Sequence, residues 1–151
     1  MQKAFLTFFY TGLSPYAPGT VGSLLGVIAG VLILTFLHPS TLFLLTILIV
    51  ILGIKHINIY EKTSNTHDDK TIVIDEVAGV WIALLISHGT LTQAVLSFAF
   101  FRIFDIWKPS IIGKIDTNVK GGLGVMGDDI VAGIVAGICS AGVWQFILKF
   151  L

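Results

Sequence analysis

Seven charged residues of this chain fall into three short clusters, each at the border of an apolar run. "IVIDEVAGVWIALL" carries Asp75 and Glu76, "FFRIFDIWKP" carries Arg102, Asp105 and Lys108, and "GVMGDDIVAG" carries Asp128 and Asp129. A carboxylate or guanidinium within such a run costs about 2.5 to 3.5 kcal/mol at a membrane-helix centre and less near an end, so each should face protein, metal or ligand. Arg102 and Asp105, three residues apart, share a helical face and can pair. An internal ion pair explains those two, and capping of a helix N-terminus explains Asp75 or Asp128 singly. Neither explains five carboxylates set against one guanidinium and one ammonium. A divalent cation would offset the excess. Hard oxygen ligands select Mg2+ or a similar ion, which typically binds a few carboxylates, waters and substrate phosphate oxygens.

Glycines flank these clusters. "VKGGLGVMGDD" holds Gly121, Gly122, Gly124 and Gly127, a composition expected just before a helix that lets backbone N–H groups approach an anion near the helix N-terminus. The amino-terminal "GLSPYAPGTVGS" has the same character, with Thr20 and Ser23 expected as caps or phosphate-facing hydroxyls.

The elements that position these residues follow from composition. The 151 residues are 55% hydrophobic and 12% charged, with a mean hydropathy of +0.94. A soluble domain carries charge on about a quarter of its residues, so the bilayer is the expected solvent. A formal net charge of zero argues against a general nucleic-acid surface. No secretory signal pattern opens the chain, so its amino terminus is expected to be retained. Cys139 has no second thiol to pair with and reads as a packing residue.

Apolar runs predict five helices, at about 21–37, 41–59, 72–87, 91–107 and 128–149, in one all-α, membrane-embedded bundle spanning 1–151. Gly22, Gly26 and Gly30, and Gly133 with Gly137, recur at fourfold spacing, which lets membrane helices approach closely. The turns at His38 to Ser40 and Ser87 to Thr90 carry no lysine or arginine, whereas the long connections hold Lys55, Lys62, Lys70, Lys108, Lys114 and Lys120. The positive-inside rule therefore puts the long connections, and with them the acidic clusters, on the cytoplasmic side.

"GLSPYAPGTVGS", "HDDKTIVIDEVAGVWIAL" and "FRIFDIWKPSIIGKIDTNVKGGLGVMGDDIVAG" resemble, in order and spacing, the signature blocks of the bacterial phosphatidylglycerophosphatase A family. The resemblance covers nearly the whole chain. It places the family's acidic pair on Asp75 and Glu76, its FRxxDxxKP block on Arg102, Asp105, Lys108 and Pro109, and its GGxGxMxDD block on Gly121, Gly122, Gly124, Met126, Asp128 and Asp129. A preceding HD pair falls on His67 and Asp68. Ser110 and Ile111 depart from the tryptophan or proline often found after the KP pair, which puts details of headgroup contact in doubt but not the class.

The resemblance implies a Mg2+-dependent, multi-pass phosphatase of the bacterial inner membrane. It would remove the terminal phosphate of phosphatidylglycerophosphate to give phosphatidylglycerol and inorganic phosphate. On this reading Asp75, Glu76, Asp128 and Asp129 supply the metal ligands and, with Asp105, the catalytic acids. Arg102, Lys108, Gly121, Gly122, Thr20 and Ser23 contact substrate. Phosphoryl transfer needs charge neutralisation and alignment, so Arg102 would grip phosphate oxygens or orient Asp105 while a metal-activated water attacks. An aspartate nucleophile stays open, as do the role of His67 and the oligomeric state. The rival from another class is a small ion or proton transporter built on the same acids, which predicts acids spread through the bilayer depth. A noncatalytic scaffold or a phosphatidyltransferase fits less well, the latter because its DG...AR...G...D...D pattern is absent.

Overall fold

The computed structural model describes residues 2–64, 66, 69–88 and 90–150, and among them it is all helical. Its helices are α1 (Gln2–Leu6), α2 (Pro18–Phe36), α3 (Pro39–Ser64), α4 (Ile74–Ser87), α5 (Leu91–Trp107), α6 (Ile111–Asn118) and α7 (Gly122–Phe150), with a 3-10 turn at Thr11–Leu13. The five predicted helices are present. α2, α3 and α7 are each long and apolar enough to cross a membrane. Their outward faces, with Leu32, Leu48 and Ile138 among the exposed side chains, are apolar as a lipid-facing surface requires.

α4 is the central helix, packed against α2, α3, α5 and α7. At ~1.5 Å per residue its 14 residues span about 21 Å, less than the ~30 Å of a bilayer core. It needs no greater length because its neighbours surround it: Val77, Ala78, Val80, Ala83 and Leu84 are fully buried.

The glycine stripes explain this close packing. A Cβ on Gly22 would meet Val73, one on Gly26 would meet Val77 and Val80, and one on Gly30 would meet Trp81 and Leu84, so the α2 stripe faces α4 along its length. Trp81 Nε1 donates to the Gly26 carbonyl at 2.7 Å within this seam. On the other side of α4, a Cβ at Gly133 would run into the backbone of Gly79, and one at Gly137 into Ala83 and Ile86. Without those side chains α4 and α7 approach backbone to backbone, the contact that lipid-embedded helices use in place of a hydrophobic drive.

Several boundaries differ from expectation: α3 runs to Ser64, five residues past its predicted end, and two helix starts bear on the site. α7 begins at Gly122, six residues before the predicted start, so the glycine-rich segment is helix rather than a loop leading into one. The cause is packing: a Cβ on Gly122 would strike the backbone of Ile54 in α3, and one on Gly124 the Val119 carbonyl. α2 begins at Pro18, a favoured first helical position, after Ala17 in a left-handed conformation at φ 43°. Thr20 and Ser23 therefore lie inside the helix and do not cap it.

The N-terminal ends of α2, α4 and α7 come together with the C-terminal end of α5. The opposite end holds a set of uncharged polar contacts, with Lys149 in the last turn of α7 as its charged residue among the described ones. There Thr90 and Gln93 form a capping box at the start of α5, Ser97 donates to Ser87 at 3.0 Å, and Ser140 donates to the Gln93 carbonyl at 3.0 Å.

Candidate active site

A cavity of about 510 Å3 lies where those helix ends meet. Asp75 and Glu76 reach it from the first turn of α4, a position that the helix dipole favours for acids. Arg102, Asp105 and Lys108 come from the end of α5, Asp128 and Asp129 from the second turn of α7, Asp116 from α6, and Asp69 and Lys70 from the segment before α4. The three clusters, far apart in the chain, thus share one space.

Arg102 organises one side. Its Nη1 donates to Glu76 Oε1 at 3.1 Å, to Ser23 Oγ at 3.2 Å, and to Asp105 Oδ2 in the pair that the spacing suggested. Ser23, wholly buried, in turn donates to the Gly19 carbonyl at 2.5 Å. One guanidinium nitrogen so ties α2, α4 and α5 together.

Lys108 organises the other side. It ends α5 in a left-handed conformation at φ 46°, and its Nζ lies 2.5 Å from Asp116 Oδ1 and 2.8 Å from Asp128 Oδ2. Burial alone would lower its pKa, but the hydrogen bonds to the two carboxylates outweigh burial and raise it, so the ammonium is held charged. In the loop, Asp69 accepts from Tyr60 Oη at 2.7 Å and from the backbone N–H and hydroxyl of Thr71 at 2.9 Å each. The Tyr60 hydrogen bond, followed by that of the Thr71 amide, holds the Asp69 carboxyl below its ordinary range.

Asp75, Asp128 and Asp129 are buried at 8%, 4% and 3% exposure. Asp75 Oδ1 accepts the Glu76 amide at 3.0 Å, and Asp128 Oδ1 is buried with no hydrogen-bond partner among the described residues. Asp75, Asp105, Glu76 and Asp128 are among the charged neighbours of Asp129. Seven carboxylates against three cations line the cavity, a surplus that its own ion pairs do not cancel. Among the described residues, no three acids or imidazoles are gathered closely enough to enclose an ion by themselves. The donor set still suits Mg2+, which takes hard oxygens and usually completes its shell with water and phosphate rather than with an all-protein cage.

The remaining predicted residues lie elsewhere. Gly121, at φ 73°, and Gly122 do not line the cavity, and the Gly122 N–H donates to Asn58 Oδ1 at 2.8 Å instead of facing an anion. Ala17, Pro18 and Gly19 form the α2 wall, not Thr20. Ser23 acts through Arg102. His67 and Asp68 lie outside the described residues.

A model of the family "Phosphatidylglycerophosphatase A" matches residues 4–144, nearly the entire chain. This chain belongs to the phosphatidylglycerophosphatase A family. An Escherichia coli phosphatidylglycerophosphatase A is 41% identical over 140 residues, covering 92% of this chain and 78% of that protein. A Haemophilus influenzae phosphatidylglycerophosphatase A is 40% identical over 129 residues, covering 85% and 79%. A Bacteroides thetaiotaomicron protein provisionally named a phosphatidylinositol-3-phosphatase is 41% identical over 143 residues, covering 89% and 88%. No solved structure matches the chain.

Two acids of this phosphatidylglycerophosphatase A family member were not anticipated at the site. Asp116 had a readable signal: it stands one helical turn after Ile112, whose burial turns that face of α6 inward. Asp69 begins an Asp-x-Thr turn, a pattern in which the carboxylate binds the backbone two residues on.

Proposed function

We propose that this protein hydrolyses the terminal phosphate of phosphatidylglycerophosphate, releasing phosphatidylglycerol and inorganic phosphate at the cytoplasmic face of the bacterial inner membrane. The observation that carries this reading is the convergence of Asp75, Glu76, Arg102, Asp105, Lys108, Asp128 and Asp129 on one cavity at one end of an apolar bundle. Family membership supports the substrate class. The lysine-bearing connections at the cavity end support the cytoplasmic orientation.

Asp75, Asp128 and Asp129, with Glu76, are the residues that would hold Mg2+. Asp128 brings a buried oxygen, Oδ1, that has no hydrogen-bond partner among the described residues. A bound Mg2+ would neutralise phosphate charge and activate the attacking water. The chain's own residues do the rest. Arg102, held by Glu76, Asp105 and Ser23, presents a fixed guanidinium to the phosphate. Lys108 adds a second positive charge from the opposite wall. Asp105, engaged with Arg102, orients that guanidinium instead of serving as a base.

A transporter would place acids through the bilayer depth. Here the charged groups of the cavity stand at one end, and the described polar contacts at the other end are made by uncharged side chains. The test is phosphate release by the purified protein from mixed micelles of phosphatidylglycerophosphate, beside phosphatidylinositol 3-phosphate and beside ion flux in proteoliposomes. Release from phosphatidylglycerophosphate with no flux is the expected result. Preference for the inositol lipid, or flux without phosphate release, would overturn it.

A further inference from the structure

Lys108 has two carboxylate partners of different kinds. Asp128 Oδ2, 2.8 Å away, belongs to a side chain only 6% exposed on α7, whereas Asp116 Oδ1, 2.5 Å away, belongs to one 34% exposed on α6. The buried partner is fixed on the long α7 and keeps its contact with the ammonium from inside the bundle. The outer one adds a negative charge beside the very cation that a phosphate entering the cavity must meet. α6 is docked to deliver it: Ile112 is buried beneath the helix, and α6 packs against α7.

We infer that Asp116 is a displaceable partner of Lys108, which competes with phosphate for the ammonium and so speeds release of inorganic phosphate. The inference rests on the phosphatase reading. When a phosphate dianion arrives, Lys108 stays on Asp128 and exchanges Asp116 for a phosphate oxygen. After hydrolysis Asp116 takes the ammonium back, and its charge repels the bound product. Asp116 is therefore a positioning residue that acts through Lys108 and sets how tightly the site retains phosphate.

The test compares wild type, Asp116→Asn, Lys108→Gln and the double variant in detergent, with inorganic phosphate as the probe. Phosphate affinity is read by calorimetry without turnover and by inhibition of phosphatidylglycerophosphate hydrolysis. Asp116→Asn should bind inorganic phosphate roughly three- to tenfold more tightly, the scale expected from removing one partly screened like charge. Its kcat should fall as release slows while KM falls or holds. In the Lys108→Gln background the same substitution should change affinity by less than about twofold, because the pair no longer exists. Damage to α6 would weaken binding instead, and Asp116→Glu should restore wild-type affinity.

Unchanged or weaker phosphate binding in Asp116→Asn would overturn the inference, as would an equal gain in the Lys108→Gln background. A wild-type protein that binds phosphate but does not hydrolyse the lipid would refute the phosphatase reading, and the calorimetric comparison would still decide the role of Asp116.

Discussion

Arg102 on α5 reaches across the helix interface to Glu76 on α4, with Nη1 3.1 Å from Oε1. This bond joins the only arginine of the chain to an acid 26 positions earlier, and it spans two of the helices that build the cavity. A lysine would keep the charge but has no second amino group to offer to phosphate oxygens while the first stays on Glu76, Asp105 and Ser23, as Nη1 does here. Arg102→Lys should keep its helical circular dichroism yet lose about a hundredfold in kcat/KM, the scale for removing one preorganised charge-stabilising group. Near-native turnover in that variant would remove Arg102 from the proposed machinery.

The Gly79 and Gly133 crossing predicts a stability effect with a built-in control. A Cβ at Gly133 would lie within 3.0 Å of Gly79 backbone atoms, which cannot rotate away, so α4 and α7 must separate. Gly133→Ala should cost about 1 to 3 kcal/mol, the usual range for overpacking, and reduce activity because Asp129 shifts relative to Asp75. Gly142→Ala, with nothing within 4 Å of the new methyl, should be neutral or slightly stabilising. Unfolding midpoints in one detergent compare the two.

Much of this arrangement was legible in the chain. Fourfold glycine spacing marked the faces of α2 and α7 that meet α4, and charge at the borders of apolar runs marked Asp75, Arg102 and Asp128 as neighbours in depth. The start of α7 was not legible, because glycine-rich sequence reads locally as loop. Only the approach of Ile54 and Val119 shows that Gly122 and Gly124 are there for packing. Asp116 escaped notice for a related reason: α6 is short, and its orientation is set by burial of Ile112 in tertiary contact.

The Tyr60 and Asp69 bond predicts pH-dependent anchoring of the loop before α4. The carboxyl of Asp69 is held below its ordinary value of 3.8, so its contribution is present above that pH and is lost as pH falls through the lower, folded value. Tyr60→Phe should remove about 0.5 to 1.5 kcal/mol of anchoring at pH 7, seen as faster protease cleavage between Ser64 and Ile74. With pepsin at a pH below the folded value, wild type and variant should be cleaved at similar rates. A wild-type advantage that persists or grows in acid would contradict the assignment.

The central claim is that Asp75 and Asp129, brought together by α4 and α7, form with their neighbours a metal-dependent phosphate-releasing site. Phosphate release from phosphatidylglycerophosphate by purified wild type and Asp129→Asn, with Mg2+ and then with chelator, tests it most directly. Chelator should abolish wild-type turnover, added Mg2+ should restore it, and folded Asp129→Asn should be at least about a hundredfold slower at saturating Mg2+. Turnover indifferent both to chelation and to the substitution would contradict it.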